Sequence, residues 1–123
     1  MKIQLDTIAG KRALYIAAEC VSLLDSKQKD YGPRNISRFG AKGLSVRLYD
    51  KVERLANLLL DRDEAPKHES LEDTFKDITN YGLIGLMLLR DEWPGEEQLE
   101  FDTFFGVIEQ ETQIEVTTET DNV

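Results

Sequence analysis

The chain is poor in the residues from which many sites are built. Its 123 residues include one cysteine, Cys20, and one histidine, His68. A lone cysteine cannot close an internal disulfide, and one residue of each kind excludes Cys/His zinc fingers and Cys-x-x-Cys redox chemistry. A catalytic Cys–His pair needs only one of each. Cys20 lies in an apolar helical stretch, however, and His68 in a charged loop, so Cys20 reads as a packing residue. Basic residues are scarce too: 15 Lys and Arg stand against 24 Asp and Glu, a formal charge of −9. That excludes a general binder of duplex nucleic acid, which needs a basic face to displace counterions. A local basic pocket for a single nucleotide is compatible with it. Long apolar runs are missing as well. The longest, Leu83 to Leu89, falls far short of the ~20 residues of a membrane span, and Met1 to Leu5 is too short and mixed for a signal peptide. The expectation is a cytoplasmic protein with no membrane partner.

The residues that are present suit a soluble helical domain. Apolar residues make up 41% of the chain and charged residues 32%, a globular composition at a length suited to one domain. Met1–Leu5 alternates apolar and polar, as a short strand or ordered arm would, and Thr7 is placed to cap a helix. Between Lys11 and Lys29, Leu14, Ala17, Val21 and Leu24 recur at three- and four-residue steps, widened by Ile16, Cys20 and Leu23, and predict that helix with a broad buried face. Tyr31-Gly32-Pro33 ends it, since glycine takes a left-handed conformation and proline forbids continuation. A loop over Arg34–Lys42 leads to a second helix, Leu44–Leu60, with Leu44, Leu48, Val52, Leu55 and Leu59 as its apolar face. The third runs from Glu69 or Ser70 to the stop at Trp93-Pro94-Gly95. Its apolar stripe is Leu71, Phe75, Ile78, Gly82, Gly85 or Leu86, and Leu89. Gly82 and Gly85 each cost about 1 kcal/mol relative to alanine, which predicts close approach of another helix there. A short fourth helix is expected within residues 96–108, around Leu99, Phe101, Phe104 and Phe105. The fold class is therefore all-α: three main helices plus a C-terminal segment, one helical domain over 1–108, and an acidic, flexible tail over 109–123. The broad stripes point to a helical-bundle homodimer.

Three groups of residues have the composition of a site. At about 100° per residue, Glu69, Asp73, Asp77 and Asn80 of the third helix fall within an arc of roughly 80°. Carboxylates four residues apart repel, so a positive partner is expected: Mg²⁺, which takes carboxylate oxygens, or the cations of the second helix. A solvated acidic face is the plain alternative. Arg47, Lys51 and Arg54 line one side of the second helix, as a phosphate cradle or as ion-pair partners of the third. Between the first two helices, Lys29, Tyr31 and Asn35 surround Gly32, an arrangement able to stack a base on Tyr31 and hydrogen-bond it through Asn35. Ordinary turn chemistry explains Gly32 and Pro33 equally well.

In order, the blocks are Lys29-Asp30-Tyr31-Gly32, Gly43-Leu44 with Arg47, Asp50-Lys51 with Arg54-Leu55, and Glu69 with Asp73-Thr74, Asp77 and Asn80-Tyr81. This order resembles the nucleotide modification associated domain, type 1, a family found largely in phages and prophages. The likeness covers about residues 11 to 90. The chain is similar more distantly to the all-α, MazG-like nucleotide pyrophosphohydrolases, which hold Mg²⁺ on an ExxE pair and a later ExxD pair. Here Glu19 has no second glutamate three residues away, and Glu69, Asp73 and Asp77 are spaced by four. The resemblance implies action on nucleotides, in the host cytoplasm if the gene is a phage's. One reading is a Mg²⁺-dependent (deoxy)nucleoside triphosphate pyrophosphohydrolase. Glu69, Asp73 and Asp77 would hold the metal, and Asp73 or Asp77 would orient water. Lys29, Tyr31, Asn35, Arg47, Lys51, Arg54, Asn80 and Tyr81 would bind the nucleotide. A second is a non-catalytic sponge for a nucleotide or a nucleotide-derived signal. A third is a structural or interaction protein whose charges only pair with one another.

Overall fold

The structure, a computed structural model, describes residues 1–61, 65, 68–94 and 114–118, with only the backbone described at residue 69. It is mostly helical, as expected. In chain order the elements are β1 (Lys2–Leu5), α1 (Ile8–Tyr31), α2 (Arg34–Ser37), α3 (Gly40–Leu59), α4 (His68–Leu89) and β2 (Glu115–Thr118). The expected fourth helix over 96–108 lies outside the described residues. The described residues belong to two compact units, one drawn from Met1–Glu19 and Glu96–Val123, the other Cys20–Gly95.

In the first unit, β1 and β2 pair in parallel, with Lys2 opposite Glu115 and Leu5 opposite Thr118. The Glu115 amide donates to the Met1 carbonyl at 2.7 Å, and the Thr117 hydroxyl donates to the Ile3 carbonyl at 3.3 Å. A strand thus occupies part of the segment expected to be a flexible tail. Valine and threonine suit a strand, and β1 supplies the hydrogen bonds that four isolated residues could not find. Thr7 caps α1: its Oγ1 accepts from the Gly10 amide at 3.0 Å, the third residue of the helix.

The second unit is organised by α3 packed along α4. Ile36, Leu44 and Ile84 form its buried centre, with Leu24, Tyr81, Met87, Leu88 and Trp93 packed around them. Gly85 is where the two helices come close. A Cβ there would stand 3.3 Å from Leu44 Cδ2, whereas one at Gly82 would meet nothing within 4 Å. The close approach expected at both glycines is therefore made at Gly85 alone. Trp93 Nε1 donates to the Pro33 carbonyl at 3.0 Å, tying the segment after α4 to the α1–α2 turn.

The helix ends are set by backbone chemistry. Gly32, at φ 72°, closes α1 through its amide to the Gln28 carbonyl, a left-handed C-terminal cap. The third expected helix stops earlier than the Trp93-Pro94-Gly95 signal. Asp91 is left-handed at φ 56°, and the Glu92 and Asp91 amides donate to the Met87 and Leu88 carbonyls. That pair of bonds is a Schellman closure.

Two helical faces differ from the periodicity reading. On α3 the inward residues are Leu44, Leu48, Lys51, Leu55 and Leu58, while Val52 and Leu59 are exposed. On α4 the inward residues are Thr74, Asp77, Asn80 and Ile84, while Phe75, Leu86 and Leu89 are exposed. On α1 the broad face expected is narrower, with Cys20 buried and Val21 exposed. On α3 and α4 the cause is shared. Polar side chains that find partners inside the unit take inward positions, and the apolar stripe beside them turns outward.

Candidate functional site

The inward polar residues converge on one cavity of about 340 Å³ within the Cys20–Gly95 unit. Three helices and the α1–α2 turn build it. α1 contributes Lys27 and Tyr31, one turn apart. α3 contributes Arg47 and Lys51, also one turn apart. α4 contributes Asp77, Asn80 and Tyr81, and α2, just after the turn, contributes Asn35. Leu24, Ile36 and Ile84 give the wall its apolar part.

Asp77 is the electrostatic centre. Lys27 Nζ stands 2.9 Å from its Oδ1 and Lys51 Nζ 2.9 Å from its Oδ2, so each carboxylate oxygen has its own ammonium. Burial pushes the Asp77 carboxyl upward, but hydrogen bonds from Lys51 and Lys27 outweigh that and hold it below the ordinary carboxylate value. The hydrogen bond to Asp77 in turn raises Lys27, against the opposing effect of burial. Arg47 reaches a different partner, donating from Nη2 to the Asn35 carbonyl at 2.9 Å. This bond fixes the segment that carries Asn35 against α3. Around the cavity, then, three cations face one carboxylate, in a chain whose overall charge is −9.

Two polar atoms in this wall have no hydrogen-bond partner among the described residues. Oδ1 of Asn35 and Oδ1 of Asn80 are buried and accept no hydrogen bond. Asn80 as a residue is only 6% exposed. Thr74, also buried on α4, is satisfied locally instead, its hydroxyl donating to the Ser70 carbonyl at 2.6 Å.

Of the residues singled out from sequence, the cavity brings together Tyr31, Asn35, Arg47, Lys51, Asp77, Asn80 and Tyr81. Arg54 lies beside it, in a shallow groove that shares Arg47, Lys51 and Tyr81 with the cavity. Lys29 is outside it and pairs with Asp25 at 3.5 Å. Asp73 is exposed and does not line the cavity, and the Glu69 side chain lies outside the described residues. The pairing between the second and third helices, expected from Arg47 or Arg54 to Asp73 or Asp77, is made by Lys51 to Asp77 instead; Arg47 goes to Asn35. Lys27 belongs to the site although its sequence context did not single it out. Its signal is its spacing from Leu24 and Tyr31, which continues the face of buried Cys20 to the end of α1.

Of the expected Mg²⁺ ligands, Asp73 is exposed outside the cavity and the Glu69 side chain lies outside the described residues. Asp77 already has an ammonium on each oxygen, and no group of three or more His, Cys, Asp or Glu stands together among the described residues. Among them no helix is long and apolar enough to cross a membrane. Compared with family models, curated proteins and solved structures, the chain has no match in any of the three.

Proposed function

We propose that the cavity captures a small phosphate-bearing molecule of nucleotide type, without cleaving it. The observation that carries this reading is the convergence of Lys27, Arg47 and Lys51 on one concave space opposed by the single carboxylate of Asp77. Holding like charges together is costly, and a bound phosphate would offset that cost through charge-assisted hydrogen bonds. Tyr31 and Tyr81 add aromatic surface for a base, and the order of sequence blocks resembling a nucleotide-associated family favours the same ligand class. The groove beside Arg54, where Arg47, Lys51 and Arg54 stand alongside Asp50 and Glu53, gives additional phosphates a place to extend.

Capture is preferred to hydrolysis because Asp77 is already neutralised. A Mg²⁺ ion binding that carboxylate would have to displace both ammoniums or sit beside them. Titration calorimetry of the purified chain against nucleoside mono- and triphosphates, with and without Mg²⁺, tests the proposal, alongside chromatography of the mixtures. The expected result is stoichiometric binding that does not need Mg²⁺ and leaves the nucleotide intact. Metal-dependent product formation would favour the pyrophosphohydrolase reading, and no binding would favour charges that serve only as ion pairs.

A further inference from the structure

We propose that Asn35 and Asn80 form a base-reading subsite beside the cations, so that the cavity recognises a nucleotide by the hydrogen-bonding edge of its base as well as by its phosphate. The inference rests on the phosphate reading above and adds the feature that would tell a nucleotide from a sugar phosphate.

The starting point is an unmet requirement. A buried amide oxygen without a donor costs about 1–3 kcal/mol, and the wall of this one cavity holds two, Asn35 Oδ1 and Asn80 Oδ1. Packing does not call for an amide at position 80. Leucine has the same number of side-chain heavy atoms and the same branching, and would meet the buried, partly apolar surroundings without an unpaired oxygen. One turn along the same face, position 84 is a buried isoleucine. Thr74 shows the usual outcome for a buried polar residue on this helix, a bond to the carbonyl one turn back. The Asn80 oxygen has no donor among the described residues, so it is available to a molecule that enters the cavity.

The chemistry of an amide narrows the choice of that molecule. It carries a donor and an acceptor side by side, and a half-turn of its terminal torsion exchanges them. Its complement is a planar group with an acceptor beside a donor, which is the edge of a nucleobase; asparagine reads adenine in this bidentate way. A phosphate offers only acceptors, and ribose hydroxyls do not present a rigid planar pair. The amides line the same cavity as Leu24, Ile36 and Ile84 and as the cations, with Arg47 bonded to the Asn35 carbonyl, and Arg47 and Lys51 also line the groove beside Arg54. The base would take the amide and apolar part, with Tyr31 or Tyr81 against its face, and the phosphates the cationic part. A volume of about 340 Å³ lies near the lower end of the ~300–1,000 Å³ range of small-molecule sites, which fits a mononucleotide better than a dinucleotide.

Calorimetry on the full chain tests this with the four common nucleoside 5′-monophosphates, ribose 5-phosphate and inorganic phosphate as probes. At least one nucleotide should bind about tenfold or more tighter than ribose 5-phosphate. Asn80→Leu should abolish that preference and leave ribose 5-phosphate affinity within about twofold, while its melting temperature holds or rises because an unpaired amide has gone. Asn35→Leu, at a half-buried position, is measured in parallel and should reduce the same preference, which keeps the test open if Asn80→Leu misfolds. Equal binding of nucleotides and ribose 5-phosphate, or a preference that survives both substitutions, overturns the subsite and leaves the cation cavity standing. Failure of every probe to bind overturns both.

Discussion

The two faces of α4 differ in what they bury: the inward face carries Thr74, Asp77 and Asn80 together with the core residues Ile84 and Leu88, while the outward face carries Phe75, Leu86 and Leu89, which are 52%, 49% and 82% exposed, among Glu72, Asp73 and Thr79. Helices commonly bury the apolar stripe and solvate the polar one. Here the polar face has the partners that make burial tolerable, an ammonium on each oxygen of Asp77 and a backbone carbonyl for Thr74. The outward apolar residues have no partner among the described residues that would take them out of water. Partner availability, rather than polarity alone, decides which side of α4 turns inward.

The inward face can be broken most directly at Asp77. Asp77→Asn leaves Lys27 and Lys51 close together with no carboxylate between them. Stability should fall by about 1–3 kcal/mol in urea titrations, while phosphate binds more tightly because the competing anion is gone. The pH dependence rests on the same pair. The Asp77 carboxyl is held below its ordinary value, so its stabilising contribution is complete above about pH 4 and is lost as pH falls through the folded-state value. Urea midpoints should therefore drop more steeply in acid for the wild type than for Asp77→Asn. Equal slopes would show that the two lysines do not hold the carboxylate.

Arg47→Met comes next in size. It keeps much of the side chain's length and removes both a cavity cation and the bond to the Asn35 carbonyl. Affinity for a nucleoside monophosphate should fall about tenfold, with a loss of stability near ~1 kcal/mol. A variant that binds as the wild type does would place the phosphate away from α3.

The outward face is tested by Leu86→Glu. If a second copy covers it, as the broad apolar stripes predict, the wild type should sediment at twice the mass of one chain and the variant at one, with helicity unchanged. A wild type that sediments as a single chain would mean that this face is solvated.

Asp73→Asn is expected to do least. Asp73 is one turn from Asp77 but exposed and outside the cavity. Stability should change by no more than ~0.5 kcal/mol and nucleotide affinity should hold, read by the same titrations. A large loss of metal-dependent turnover would instead restore Asp73 to the site and favour hydrolysis.

Much of the fold was legible in the residues themselves. Three long helices follow from apolar steps of three and four, Thr7 marks the start of α1, and Gly32 with Pro33 marks its end. These are local decisions, settled by hydrogen bonds and dihedral preferences within a few residues. Most of the cavity wall was legible too, because Tyr31, Asn35, Arg47, Lys51, Asp77, Asn80 and Tyr81 carry polar or aromatic chemistry where plain packing does not require it. The tertiary structure alone decided which side of each helix faces inward. Lys51 turns in because Asp77 stands opposite on α4, and Asp77 turns in because Lys27 on α1 meets its other oxygen. Fifty residues separate Lys27 from Asp77 in the chain, a distance no periodicity can span. The strand at 115–118 depends on the same kind of distant partner, since β1 lies at the opposite end of the chain. A helix can be read from its own residues, but the direction its faces take is set by charges and hydrogen-bond partners that only folding brings within reach.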